Sequence, residues 1–340
     1  PALGRDDPLP APPSPHTDPL PLARSGLKNF DEDQLLLVDS ANYSAAGHAY
    51  KWDWRNDAYT RIGGRENVYG CHDIQWSSVM GEDAFWAPEA EVDCGYNNNV
   101  SLYDAATGAV RRTLSTGYSK CVPDTNHAQF LENDNTALLS LRAINAIAKY
   151  RLSSDGSGAG HQQWIVGGEY GTWPISDTKR GVTYPPGATV WSGQHNAEYM
   201  GAGDDGHEVW MFDDRGLGNE SRLLIVNIDE EAEEASIAWE YRLGAYSTIY
   251  GDCDPTPAGN IVGSYWSSKY DVKAGQQLAG IIEVMMPILT VFENVSPYSF
   301  VRIRSFSSQR VNSCSASFRS VTFFGLTTSL TNLIARAIVR

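Results

Sequence analysis

The sequence is short of cations. Its 340 residues hold 26 Lys and Arg against 41 Asp and Glu, a formal charge of −15. A surface this acidic repels phosphate backbones, which argues against a nucleic-acid partner. Cysteine is scarce: there are five, and none forms a CxxC pair, so zinc-ribbon and thioredoxin-type motifs are absent. No stretch approaches the ~20 uninterrupted apolar residues of a membrane-spanning helix. The run 279–292 is broken by Glu283, and 321–339 is broken by Thr, Ser, Asn and Arg336. Long amphipathic helical patterns are also hard to find. From 295 to 340 there is no Lys, Asp or Glu, while six Arg remain. The composition excludes collagen, a coiled coil and wholesale disorder.

Aromatics and glycine are present in quantity: 10 Trp, 17 Tyr and 31 Gly. That balance favours an all-β fold with many tight turns. Short apolar runs bounded by Gly, Asp and Asn read as strands, among them 137–142, 208–212, 222–228 and 260–265. The acidic, Ala-rich stretch 230–236 reads as a charged hairpin loop. Eight of the 17 prolines fall before residue 26. The expected organisation is therefore a Pro-rich leader at 1–28, a β-domain at 29–296 and a basic, Ser-rich tail at 297–340.

A weak internal repeat organises the β-domain. One half-unit is a histidine, a polar turn and an apolar strand. It occurs at His72, at His127 and at His195, and a fourth copy has Cys253 near the histidine position. The other half-unit is a strand ending near Asp, a turn, and a strand with Trp, Arg or Tyr. It is seen at 102–112, 149–165 and 226–241. Successive half-units of the first kind start 55, 68 and 58 residues apart. Such spacing suits four-stranded blades with long loops, and blades around an axis make a β-propeller. Equivalent positions on successive blades then face one central funnel, which is how histidines so far apart can share a site.

The segments Cys71-His72-Asp73-Ile74-Gln75, Asp124-Thr125-Asn126-His127-Ala128-Gln129-Phe130, 139–147 (LSLRAINAI), 164–168 (WIVGG), 194–200 (QHNAEYM) and 209–214 (VWMFDD) together resemble the arylsulfotransferase family. These are the sulfotransferases that use no nucleotide donor. The likeness spans roughly residues 45–290 and points to the broader eukaryotic branch. It implies a secreted six-bladed propeller with His72, His127, Arg142 and His195 lining the funnel. It also implies ping-pong sulfuryl transfer from an aryl sulfate to a phenol, with His195 the nucleophile and no cofactor or metal. Gln129, Gln194, Asn196 and Trp76, flanking these motifs, are the expected substrate contacts. Gln129 stands where the bacterial pattern has Asn.

These residue types suit the chemistry. Sulfuryl transfer resembles phosphoryl transfer, with a loose in-line transition state and charge on peripheral oxygens. A neutral imidazole is a nitrogen nucleophile near pH 7. Arg142 offers a planar, permanently charged fork for sulfate oxygens. His72 and His127 are expected to bind the SO3 oxygens or to move the phenol's proton. Trp173, Trp191 and Trp266, with Trp76, are candidates for an aromatic wall.

Other features have plainer readings. Residues 183–191 echo a phosphosulfate loop but lack its lysine and its following helix. The acids of 204–208 lack EF-hand spacing and read as a solvated turn. Sequons at Asn42, Asn99, Asn219 and Asn294 fit a secreted or lumenal glycoprotein. The rival reading is a non-catalytic propeller serving as a ligand-binding or assembly subunit. Its leader or basic tail would then dock a protein partner.

Overall fold

The computed structural model describes residues 24–29, 34–39, 48–53, 55–63, 73–77, 84–88, 99–118, 122–131, 135–153, 160–199, 208–214, 220–256, 260–271, 276–285 and 301–307. Among them there are 22 strands in five sheets and no α-helix. The first sheet holds β1 (Arg24–Asn29), β2 (Gln34–Asp39), β3 (His48–Asp53) and β4 (Ala58–Arg61). The second holds β5 (Gln75–Ser77), β6 (Ala84–Pro88), β7 (Asn99–Asp104) and β8 (Val110–Ser115). The third holds β9 (Thr125–Leu131), β10 (Thr136–Leu141), β11 (Ala146–Arg151) and β12 (His161–Val166). Each of these is an antiparallel meander in chain order.

A hairpin of β13 (Ile175–Asp177) and β14 (Val182–Tyr184) comes next. The fourth meander is β15 (His195–Tyr199), β16 (Glu208–Asp213), β17 (Arg222–Asp229) and β18 (Glu234–Arg242). The hairpin joins its outer edge, with β13 parallel to β18. Arg180, in the hairpin turn, holds it there with a guanidinium bonded to Glu240 on β18 at 2.6 Å. This insertion accounts for the longer interval of 68 between His127 and His195. The fifth sheet is β19 (Ser247–Pro255), β20 (Ile261–Asp271), β21 (Gln276–Val284) and β22 (Val301–Ser307). Thus β1 begins within the expected leader, and β22 lies within the expected tail.

The sheets stack face to face, and four apolar layers fill the spaces between them. Ala49 and Ile62 of the first sheet pack with Phe85 and Ala87 of the second. Ala84 and Trp86, one residue out of step on β6, pack with Leu139 and Leu141 of the third. Leu138 faces the other way, into a layer with Met211 and Leu224 of the fourth sheet. Leu223 and Ile225 turn from that layer to meet Ile261 and Ile282 of the fifth. Each inner sheet is therefore buried on both faces. Alternation of side chains across a strand then demands apolar residues at every position. That is why Ala137–Leu139 of β10 and Leu223–Val226 of β17 read as continuous apolar runs.

The leading strand of each sheet packs beside the next: β1 with β5, β5 with β9, β9 with β15, and β15 with β19. This is a propeller-like arrangement, and the described residues supply five of its sheets. The hairpins between third and fourth strands repeat one device. Asp53, Asp104 and Asp229 each accept two backbone N–H bonds from the turn that follows, at 2.7–3.1 Å. Asp104 and Asp229 are the aspartates of the sequence repeat, and Asp53 makes the same Asx turn outside it.

Leu139 is fully buried in the layer between second and third sheets. Leu139→Ala should lower unfolding free energy by ~2–5 kcal/mol. Exposed Val110 on outer strand β8 should accept Ser within ~0.5 kcal/mol. Chemical denaturation of both variants measures the contrast.

Candidate functional site

The leading strands carry a ladder of polar side chains. Asn126 on β9 donates from Nδ2 to the Gln194 carbonyl at 2.7 Å. Three residues on, Gln129 spans Tyr199 of β15, accepting from its N–H at 2.7 Å and donating to its carbonyl at 3.0 Å. Between them His127 is fully buried. Its Nδ1 contacts the carboxylate of Asp73, just before β5, and its Nε2 lies 2.9 Å from Glu198 Oε1 on β15. One imidazole therefore bridges three sheets.

Burial opposes charge on His127, but Asp73 and Glu198 outweigh it and raise the imidazole to about 9. At pH 7 it is a cation between two anions. Both ring nitrogens face carboxylates, one on either side of the ring. Gln129 engages the backbone of Tyr199. Gln194 is buried, with Nε2 donating to the Ala146 carbonyl at 2.7 Å, and its backbone receives Asn126. Asn196, with φ 50°, donates from Nδ2 to the Asp252 carboxylate of β19. These three expected substrate contacts hold neighbouring sheets together. His72 and the side chain of Trp76 lie outside the described residues.

Arg142 and His195 are brought to one end of the leading strands. Arg142 opens a 3-10 turn, Arg142–Ile144, after β10. Its backbone N–H donates to the Asp124 carbonyl at 3.0 Å, and its Nη1 donates to Asp124 Oδ2 at 3.0 Å. The guanidinium is about a quarter exposed, while Nε is buried with no partner among the described residues. Gly168 seats the neighbouring loop against this turn. A Cβ there would lie 1.8 Å from the Ile144 carbonyl oxygen, and φ is +61°, so no other residue fits.

Asn145, at φ 57°, ends the turn and aims its side chain at the His195 segment. Its Oδ1 accepts from Gly193 N–H at 2.9 Å. The same segment is pinned from behind. Buried Arg222 donates from Nη2 to the Val190 carbonyl and from Nε to Asp213 Oδ2, each at 2.8 Å. Asp213 Oδ1 in turn accepts from Ser192 N–H at 3.0 Å. His195 is thereby fixed at the start of β15. Its Nδ1 donates to the Gly193 carbonyl at 2.9 Å. In the neutral ring this leaves the lone pair on Nε2.

Sequence reasoning did not single out Asp73, Glu198, Asp124 or Arg222. Asp73 and Glu198 sit inside the quoted histidine motifs, and Asp124 opens the second. That proximity was the available signal. Arg222 had none, because only the fold brings it to Val190.

The His127 cation has a pH signature. Its value is about 9 in the folded chain and 6.5 in a free imidazole, so folding favours proton uptake. The resulting stabilisation is complete below pH ~6.5 and is lost as pH rises through ~9. His127→Gln should remove that alkaline slope and, by leaving two buried carboxylates uncompensated, cost about 3–5 kcal/mol. Thermal melts from pH 6 to 10 on both proteins check this.

The chain shares an overall likeness with several solved structures. A protein from Lactobacillus plantarum is 15% identical, with TM-score 0.44 over 82% of this chain and 73% of that one. Kuenenia stuttgartiensis hydrazine synthase is 12% identical, with TM-score 0.42 over 83% and 70%. Pseudomonas aeruginosa periplasmic gluconolactonase, PpgL, is 9% identical, with TM-score 0.41 over 82% and 87%. No curated protein matches the chain. The profile of the Arylsulfotransferase (ASST) family, however, matches residues 125–295, half of the chain, from β9 through β21. With the Arg142 and His195 motifs both inside that match, the chain belongs to the arylsulfotransferase family.

Proposed function

We propose that this protein transfers a sulfuryl group from an aryl sulfate to a phenol in two steps, through a sulfohistidine at His195. The observation that carries the reading is the Nδ1–H bond to the Gly193 carbonyl, which leaves Nε2 of the neutral ring as the nucleophilic nitrogen. Arg142 is tied to His195 through Asn145 and Gly193, and it supplies the fixed positive charge for sulfate oxygens. In the first step Nε2 forms a bond to sulfur as the sulfur–oxygen bond breaks, and the phenolate leaves with the electron pair. In the second step an acceptor phenolate attacks that sulfur and restores His195. No nucleotide takes part.

The five sheets are proposed to be blades of a closed six-bladed propeller whose funnel holds this site. The four sequons support passage through a secretory compartment. The binding-only alternative has no observation in its favour, because a mere anion sink needs no imidazole with a fixed tautomer.

Incubation with 4-nitrophenyl sulfate, with and without phenol and without nucleotide, tests this directly. Phenol should accelerate nitrophenolate release, and intact mass should show one added SO3 group. His195→Asn should lose both, with turnover falling at least ~1,000-fold, as for loss of a covalent nucleophile. Equal release by the variant would end the sulfohistidine reading.

A further inference from the structure

His195 has a second neighbour at Nδ1 that the resting bond to Gly193 does not use. Asp214, in the turn just after β16, has its Oδ1 3.4 Å from His195 Nδ1. The Asp214 side chain is only 2% exposed. Its Oδ1 is buried with no hydrogen-bond partner among the described residues. A buried carboxylate oxygen without a donor is costly, and it calls for an explanation in function. The approach is built in. Ser221 donates from its hydroxyl to the Asp214 carbonyl and fixes the backbone. Opposite it stands Gly193, where a Cβ would lie 3.1 Å from Asp214 Oδ2 and where φ is +67°. Any larger residue there would push the carboxylate away from the ring.

We propose that Asp214 is the counter-ion of the sulfated His195 ring, a positioning residue that acts only once Nε2 carries SO3. This rests on the sulfohistidine reading above. Before reaction the Nδ1–H is satisfied by the Gly193 carbonyl. When Nε2 bonds to sulfur, the electron pair of the broken sulfur–oxygen bond leaves with the phenolate. The Nδ1 proton stays, so the ring becomes cationic. The Nδ1–H then turns from the carbonyl to Asp214 Oδ1, forming a charge-assisted bond in a site closed to water. Asp214 thereby stabilises the intermediate more than the resting enzyme, which is what accelerates a step.

The test uses the full chain and 4-nitrophenyl sulfate in quenched flow without acceptor, reading the nitrophenolate burst and the mass of the His195 peptide. Asp214→Asn should keep the wild-type melting curve but reduce burst rate and sulfohistidine yield about 10- to 100-fold, as expected for loss of a charged hydrogen bond. An Asn variant with the wild-type burst would overturn the proposal while leaving the sulfohistidine intact. A wild-type enzyme with no sulfated peptide would overturn both, and that result is told apart by the missing mass. Should the Asn variant fail to fold, proton NMR of the wild type decides. Sulfation should move the His195 Nδ1 proton downfield as it takes up the carboxylate, and an unmoved resonance would sink the idea.

Discussion

Stacking sheets face to face buries both faces of each inner sheet, and along the leading strands buried polar groups fix neighbouring sheets to one another. The interaction on which this depends is the His127 imidazolium between Asp73 and Glu198. A cation with no exposed surface is tolerable only with anions against it. It contributes less as net stability than as register. His127 meets Glu198, Asn126 meets Gln194, and Gln129 meets Tyr199. Ascending β9 thus follows ascending β15 in order. A slip of one residue would leave a charge and two amides buried without partners, at ~1–3 kcal/mol for each neutral group and more for the charge. Apolar contacts between the sheets could slide, but this ladder cannot.

The same logic carries forward to the end of the strands. An anionic substrate is a poor match for a chain of charge −15 unless its acids are engaged elsewhere. Around Arg142, His127 and Arg222 they are. Asp124 holds Arg142, Asp73 and Glu198 hold His127, and Asp213 holds Arg222. Each carboxylate stands behind a cation or a backbone donor and orients it. The segment 190–195 is gripped by Arg222, Asp213 and Asn145 within a few residues. His195, the first residue of β15, is therefore held in one position by groups from β16, β17 and the turn after β10.

Much of this was legible in the sequence because burial on both faces leaves a plain mark. Continuous runs such as Leu223–Val226 have no other explanation in a chain of short strands. The phase of His127, His195 and Cys253 was also legible, because all three fall on leading strands. What stayed hidden were partnerships across sheets. His127 lies 54 residues from Asp73 in sequence, and no spacing rule links them. Gln129 resembles a substrate contact until the backbone of Tyr199 is beside it. An amide reads the same in sequence whether it binds a ligand or a neighbouring strand, and only geometry separates the two.

That geometry also divides the labour between two histidines of one repeat. A protonated imidazole has no lone pair to offer, so a ring raised to about 9 by two carboxylates cannot attack sulfur at neutral pH. His195 meets a carbonyl instead, and a carbonyl orients a neutral ring without demanding a charge. The repeat places an imidazole on β9 and another on β15. Their partners differ: two carboxylates hold His127 as a buried cation, while the Gly193 carbonyl orients the His195 ring.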